Sequence, residues 1–259
     1  MVSFPAGLAE GIEPDTHLIT NRDKSWFVEE MLMSDIRKHT RVNDILLGPL
    51  ERPALKWLAA HLPAWITPDI CTSIGVLGSI IVMVGYILTH IDRNFLWLAS
   101  LGFVINWFGD SLDGTLARFR GMERPIYGFF VDHVIDAVNE VMIFLGLGMT
   151  PYVRFDIACL TLIAYLLLSV LVYVRTCVVG EFRISYGRLG PTEVRVIAIL
   201  LNTSMYFFGP HSLSFAVGIF GRFTFSIYDV VVAVIALLLF YFFIITAAQE
   251  TIRLAKEDK

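Results

Sequence analysis

The stretch DSLDGTLARFRGMERPIYGFFVDHVID, residues 110–136, places four aspartates at the facing ends of two apolar segments. On a helix, Asp110 and Asp113 share one face, and Asp132 and Asp136 share another. Two antiparallel helices joined by a short turn would bring these pairs together. Carboxylates that converge in an apolar setting cannot all stay ionised without compensating positive charge. The stretch therefore predicts a helical hairpin with an acidic pocket.

The composition of the whole chain indicates a membrane protein. Of its 259 residues, 56% are hydrophobic and 17% are charged, and its mean hydropathy is +0.68. An average soluble domain is about 45–50% apolar and about 25% charged. The net charge of −4 leaves no basic stripe for a phosphate backbone, which argues against a nucleic-acid partner.

Six segments are long and apolar enough to cross about 30 Å of hydrocarbon as helices. They cover approximately residues 70–90, 95–117, 129–149, 157–179, 192–209 and 228–248. The predicted fold is therefore all-α, a polytopic membrane protein with six transmembrane helices. Residues 1–66 are predicted to form an N-terminal extension with an amphipathic helix at the membrane interface. Residues 67–250 are predicted to form the six-helix transmembrane domain, and residues 251–259 are predicted to form a cytoplasmic tail.

Lysine and arginine are divided unevenly between the two sides of the predicted membrane domain. The connections after the second and fourth segments and the C-terminal tail hold several each, whereas the alternate connections hold Arg93, Arg154 and Arg222. Because positive charge concentrates in cytoplasmic connections, both termini and the acidic stretch are predicted on the cytoplasmic side.

The residues around the four aspartates fit a metal-bridged diphosphate. Carboxylate oxygens suit Mg²⁺, Mn²⁺ or Ca²⁺, and two ions would distribute the charge better than one. Gly114 and Gly128 remove side chains beside the carboxylates, so a ligand can approach the backbone. Arg118 offers a planar fork of donors to phosphate oxygens. This combination of groups is typical of phosphoryl transfer.

Other charged residues lie near the predicted pocket. Glu140 lies one turn beyond Asp136 on the same face, where it would extend the acidic pocket or pair with a neighbour. Glu193 and Arg195 open the fifth segment and are expected either to pair with each other or to enter the site.

The chain resembles the CDP-alcohol phosphotransferases through a signature of eight fixed positions. These positions are Asp110, Asp113, Gly114, Ala117, Arg118, Gly128, Asp132 and Asp136. The resemblance implies that a second alcohol attacks the diphosphate of a CDP-linked alcohol and that CMP is released. It also implies a six-span fold with the signature on the cytoplasmic side, and similar proteins are often homodimers.

The resemblance also implies a role for each position. Asp110, Asp113 and Asp132 would bind two Mg²⁺ or Mn²⁺ ions, and Asp136 would be a further ligand or the base for the acceptor. The residues implied to bind the nucleotide are Gly114, Ala117, Arg118, Gly128 and Asp69. Asp69 belongs to a Thr-Pro-Asp sequence that resembles the Thr-Pro-Asn often found at the mouth of the first span.

Two shorter matches resemble the choline and ethanolamine phosphotransferases, which transfer a headgroup phosphate to diacylglycerol. His133 follows Asp132 as in the Phe-Asp-His-Gly stretch of that branch, and Glu193 lies in a Thr-Glu-Val sequence that is similar to one there. The resemblance implies that His133, assisted by Glu193, deprotonates the acceptor, which suits a neutral imidazole beside a carboxylate. Val134-Ile135 replaces the Gly-Cys of that branch, so donor and acceptor stay open. Other family members join CDP-diacylglycerol to a soluble alcohol such as inositol phosphate, glycerol phosphate or serine.

Two other classes of membrane protein also use intramembrane acids. An ion-coupled transporter would scatter them over several helices near the midplane, whereas this chain concentrates them at one interface. A prenyl-diphosphate transferase would have a second aspartate-rich motif, and the aspartates after Asp136 are isolated. The sequence favours a phosphotransferase over both.

Overall fold

Helix dominates the computed structural model, which describes residues 41–42, 46–179, 182–183, 190–210, 212–216 and 222–257. The helices in these residues are α1 (Gly48–His61), α2 (Pro68–Leu88), α3 (Phe95–Arg120), α4 (Pro125–Gly148), α5 (Phe155–Val179), α6 (Pro191–Phe208) and α7 (Ile227–Glu257). Strands β1 (Arg41–Val42) and β2 (Phe182–Arg183) pair in parallel, and β3 (Ser212–Ala216) and β4 (Arg222–Ser226) form an antiparallel hairpin. The predicted helical fold is confirmed, and the hairpin is an addition to it.

The six segments predicted to span the membrane correspond to α2 through α7. In the part of the chain that the structure describes, four helices are long and apolar enough to cross a membrane: α2, α3, α5 and α7. These helices identify a membrane protein. Spans at α4 and α6 stay a prediction, because α4 carries three acidic residues and α6 begins with Glu193 and Arg195. Helix α7 extends to Glu257, so most of the predicted tail is helical.

Helices α2 and α3 approach each other until their backbones touch. A Cβ atom added to Gly78 would lie 2.3 Å from the backbone nitrogen of Asn106, and one added to Gly109 would lie 2.2 Å from that of Gly75. Small residues allow such close approach between helices in a membrane, where lipid supplies no hydrophobic drive for association. This seam fixes the position of Asp110 and its neighbours on α3 relative to α2.

We expect Gly109→Ala to destabilise the protein by about 1–3 kcal/mol or more, because the new methyl group meets backbone that cannot move aside. Thermal unfolding of the protein in detergent would measure the change. Gly128→Ala is the matched control, since in the described part of the chain nothing beyond its chain neighbours and the nearby backbone of its own helix lies within 4 Å of the added Cβ. Equal melting temperatures for the two variants would contradict this account of the seam.

Helix α1 packs on α3 through one face and is held at its C-terminal end. Leu55 and Ala59 are buried against Leu112 and Leu116 of α3. Arg120, at the end of α3, donates hydrogen bonds to four carbonyl oxygens of the turn between α1 and α2. The acceptors are Leu62, Pro63, Ala64 and Ile66. Helix α1 is thus the described part of the predicted amphipathic segment. Apart from the backbone of residues 41–42, the part of that segment before residue 46 lies outside the described residues.

A buried polar chain joins α2, α3 and α6 farther from the acidic stretch. The hydroxyl of Tyr86 donates to Asn202 Oδ1 at 2.9 Å, and Asn202 Nδ2 donates to Ser100 Oγ at 3.2 Å. Asn202 and Arg195 lie seven residues apart on α6 and therefore share one face of that helix. These hydrogen bonds fix the rotation of α6 and direct Arg195 towards α3.

Candidate active site

The structure places the four aspartates of the signature within electrostatic reach of one another. The carboxylate of Asp113 interacts with those of Asp110 and Asp132, and that of Asp136 interacts with those of Asp110, Asp132 and Glu140. Helix α2 packs against both α3 and α4, and α4 also packs against α5. The acidic cluster, defined as these four aspartates and Glu140, therefore lies among α2, α3, α4 and α5.

Asp113 is anchored to α2 by a hydroxyl group. Its side chain is buried, and its Oδ2 accepts a 2.8 Å hydrogen bond from Thr72 Oγ1. Thr72 could not be selected from the sequence, because a threonine in an apolar helix carries no signal of its own. Its contact with Asp113 fixes the orientation of that carboxylate.

Arg195 of α6 supplies positive charge to the acidic cluster. Its Nη2 donates to Asp110 Oδ2 at 2.6 Å, and its Nε donates to Asn106 Oδ1 at 2.7 Å. Asn106 in turn donates to the carbonyl oxygen of Gly75 and to Ser79 Oγ, both at 3.0 Å. The guanidinium is thus held between the carboxylate of Asp110 and the side-chain amide of Asn106, which is anchored to α2. Arg195 therefore pairs with Asp110 of the acidic cluster.

Glu193 lies at the start of α6 with both carboxylate oxygens bound to backbone amides. Oε2 accepts from the amide of Gly190 at 2.9 Å and caps α6, whereas Oε1 accepts from the amide of Leu47 at 2.8 Å, next to α1. Beside it, Thr192 Oγ1 donates at 2.8 Å to Glu51 of α1, which also accepts from Trp107 Nε1 of α3. These four side chains form a junction between α1, α3 and α6, called here the α1 junction.

His133 lies on α4 with its ring turned towards α5. Its Nδ1 is 2.5 Å from the carbonyl oxygen of Phe129, and since a carbonyl only accepts, Nδ1 carries the proton and Nε2 is the basic nitrogen of the neutral ring. The ring stacks on Phe129 at 4.1 Å between centroids and meets Tyr173 edge-on at 4.8 Å. Tyr173 also interacts electrostatically with Asp136, so His133 is adjacent to the acidic cluster.

Helix α5 contributes a second tyrosine to the cluster. Tyr165 hydrogen-bonds Glu140 and also interacts with Asp136. Glu140 is therefore part of the acidic pocket and has a partner on α5. Neither Tyr165 nor Tyr173 could be selected from the sequence, because aromatic residues are common in apolar helices.

The residues predicted to bind the nucleotide through α3 and α4 lie near the exposed ends of those helices. Arg118 is exposed, and its Nη2 is 3.4 Å from Thr115 Oγ1. Its guanidinium lies over Gly114, where an added Cβ would come within 3.3 Å of Nη1. Ala117 is half-buried beside it, and Gly128 lines open space within the described part of the chain. The arrangement leaves open space beside Gly128, whereas the Arg118 guanidinium covers Gly114.

Asp69 lies in the first turn of α2, which Thr67 caps by accepting a 3.3 Å hydrogen bond from the amide of Ile70. Its half-exposed carboxylate pairs with Arg124, at the start of α4. The guanidinium of Arg124 also lies 4.2 Å from the centre of the Tyr127 ring. Asp69 therefore links the beginnings of α2 and α4 in this structure.

The acidic cluster fits a divalent metal by the chemistry of its donors. Among the described residues, no group of three or more His, Cys, Asp or Glu side chains is arranged to hold an ion as it stands. The cluster nevertheless offers several carboxylate oxygens from facing helices, which are the ligands that Mg²⁺ and Mn²⁺ prefer. Its negative charge exceeds what Arg195 alone can balance, so a divalent cation would be stabilised there.

Comparison with known proteins gives a family assignment that agrees with this site. Residues 65–247 match the model of the CDP-alcohol phosphatidyltransferase family. The chain is 29% identical over 174 residues to cholinephosphotransferase 1 of Gallus gallus, covering 62% of this chain and 50% of that protein. It is 35% identical over 102 residues to archaetidylinositol phosphate synthase of Pyrococcus horikoshii, covering 38% of this chain and 54% of that protein.

A third relative is phosphatidylinositol phosphate synthase of Cutibacterium acnes, which is 32% identical over 90 residues, 35% of this chain and 41% of that protein. The chain thus spans about half the length of these curated relatives. The family match covers most of the chain and includes all eight signature positions and α6. The chain belongs to the CDP-alcohol phosphatidyltransferase family.

Proposed function

We propose that this protein transfers the substituted phosphate of a CDP-linked alcohol to a hydroxyl acceptor, with release of CMP, in phospholipid biosynthesis. The observation that carries the proposal is the acidic cluster, in which all four signature aspartates interact and Arg195 binds one of them. Carboxylates grouped in this way beside an exposed arginine and two glycines suit a charged diphosphate and its metal ions.

The metal ions would be held by Asp110, Asp113 and Asp132, and when bound they would polarise the diphosphate and offset its charge. The chain's own groups then act on the substrate. Arg118 binds phosphate oxygens through its guanidinium fork. Asp136, or His133 through Nε2, accepts the proton of the acceptor hydroxyl.

The transfer is a single displacement. The acceptor oxygen forms a bond to the phosphorus that carries the alcohol, and the bond from that phosphorus to the bridging oxygen breaks. The bridging oxygen leaves with CMP. The packing of α2 to α5 around the acidic cluster orients the acceptor for this attack and limits access of water, which would otherwise hydrolyse the donor.

The donor we favour is CDP-choline or CDP-ethanolamine, with diacylglycerol as acceptor. Two features support it: the match to cholinephosphotransferase 1 extends over 62% of the chain, and His133 lies adjacent to the acidic cluster. In this reaction Glu193 assists indirectly, by holding the start of α6 from which Arg195 projects. A second candidate is transfer from CDP-diacylglycerol to a soluble alcohol, which the two inositol phosphate synthases among the relatives support.

Purified protein tests the proposal directly. With Mg²⁺ or Mn²⁺, it should release CMP from at least one CDP-alcohol when a lipid or soluble acceptor is present, and chelation with EDTA should abolish the release. A radiolabelled panel crossing CDP-choline, CDP-ethanolamine and CDP-diacylglycerol with diacylglycerol, inositol phosphate, glycerol phosphate and serine separates the two candidates. Absence of CMP release throughout the panel would refute the proposed reaction.

The proposal includes an arrangement in the membrane. All six helices α2 to α7 span it, with both termini and the acidic cluster on the cytoplasmic side, and α1 lies in the interface among lipid headgroups. The exposed side chains of Leu50 and Trp57 on α1 support this placement, since they are 75% and 60% exposed. We also propose that the protein is a homodimer, as similar proteins often are, which mass measurement in detergent would test.

A further inference from the structure

Arg195 has a donor that the described residues leave unused. Only 13% of its side chain is exposed, and Nη2 and Nε bind Asp110 and Asn106. Its Nη1 is buried and has no hydrogen-bond partner within the part of the chain that the structure describes. Because a buried N–H without an acceptor is costly, this nitrogen points to a contact that forms with an incoming oxygen.

Arg195 lies among acidic side chains. Its guanidinium interacts electrostatically with Asp110, Asp136 and Glu140. Asp110 is the acid that Arg195 binds directly, and it also interacts with Asp113 and Asp136. A guanidinium and a divalent cation therefore make competing demands on the same carboxylate.

We infer that Arg195 is the resident counter-cation of the acidic cluster and competes with a divalent cation for Asp110. Asn106, fixed to α2, keeps the guanidinium beside the cluster after Asp110 turns to the ion, and Nη1 and Nη2 then face ligand oxygens. Arg195 is thus a positioning residue that keeps the cluster folded without an ion and sets its affinity for one. This inference rests on the metal site of the proposed function.

Arg195→Gln in the full-length protein tests the inference without any assay of activity. Thermal unfolding is measured with excess EDTA and with saturating Mg²⁺, and Mn²⁺ binding is measured by electron paramagnetic resonance. We expect a lower melting temperature in EDTA, a larger stabilisation by Mg²⁺ than in the wild type, and Mn²⁺ binding that is about tenfold tighter, because a nearby positive charge has been removed.

Arg175→Gln is the matched control. Arg175 is likewise a largely buried arginine, paired with Glu250 at 2.7 Å between α5 and α7. Its loss should lower the melting temperature equally in EDTA and Mg²⁺ and leave Mn²⁺ affinity unchanged. Unchanged or weaker Mn²⁺ binding by Arg195→Gln would overturn the inference alone, whereas a wild-type protein that binds no Mn²⁺ would overturn the proposed metal site and the inference together.

A second variant covers the case in which Arg195→Gln fails to fold. Arg195→Gln combined with Glu140→Gln removes one charge of each sign from the same buried region. If charge balance is what Arg195 supplies, the double variant should yield folded, monodisperse protein in detergent. Failure of the double variant to fold would overturn the inference, since its charge balance equals that of the wild type.

Discussion

Asp113→Asn is expected to reduce CMP release by about 10²–10³-fold or more, because it removes a negative ligand that stabilises charge during transfer. The protein should remain folded. Asn can still accept the hydrogen bond from Thr72, and loss of one of several mutually repelling carboxylates relieves strain in the acidic cluster. Lost activity together with an unchanged or raised melting temperature is therefore the expected result.

Asp156→Asn is the matched control for this substitution. Asp156 is the same residue type, but it lies at the start of α5, is mostly exposed and pairs with Arg154. Its loss should leave CMP release within about twofold of the wild type, as surface ion pairs contribute little. Normal CMP release by Asp113→Asn would contradict the assignment of the acidic cluster as the active site.

His133→Ala is expected to reduce turnover by about 10²–10⁴-fold, the usual contribution of a general base. Binding of CDP should stay close to that of the wild type, because the proposed nucleotide contacts come from other residues. Turnover is measured as CMP release at saturating substrates, and CDP affinity by calorimetry. The pair of measurements separates loss of a base from loss of the binding site.

His61→Ala offers an unusually close control. His61 on α1 makes the same local contacts as His133: its Nδ1 is 2.7 Å from the carbonyl oxygen of Trp57, four residues earlier, and its ring stacks on Trp57 at 4.4 Å. It is exposed at the end of α1 and is not a member of the acidic cluster, so its loss should leave turnover unchanged. Normal turnover by His133→Ala would exclude His133 as the base and leave Asp136 as the remaining candidate.

Much of the fold could be predicted from the sequence because the controlling signals are local. Apolar runs of sufficient length located the six long helices, and the spacing of Asp110 to Asp136 identified the signature. Two of these helices, α4 and α6, are not among the four candidate spans, and both carry charged residues. These charged residues include Glu140 and Arg195, which lie in or beside the acidic cluster.

The contacts that complete the site could not be predicted, because they join residues distant in the sequence. Arg195 and Asp110 are separated by 85 positions, and Thr72 and Asp113 by 41. No periodicity connects such pairs. Glu193 is a further contact that the sequence does not reveal. Its motif suggests assistance to His133, whereas in the structure its carboxylate accepts hydrogen bonds from the amides of Leu47 and Gly190. Its part in catalysis stays a prediction.

The α1 junction also has a consequence for biosynthesis. Glu51 meets Trp107 soon after α3 is made, but Leu47 and its partner Glu193 are 146 positions apart. At about 5–20 residues per second, α1 is synthesised about 7–30 s before α6 can hold its first turn. Ribosome-bound chains from which Glu193 has not yet emerged should therefore be cut by protease near Leu47, and chains from which α6 has emerged should be protected. The N-terminal helix is completed by one of the last helices to leave the ribosome.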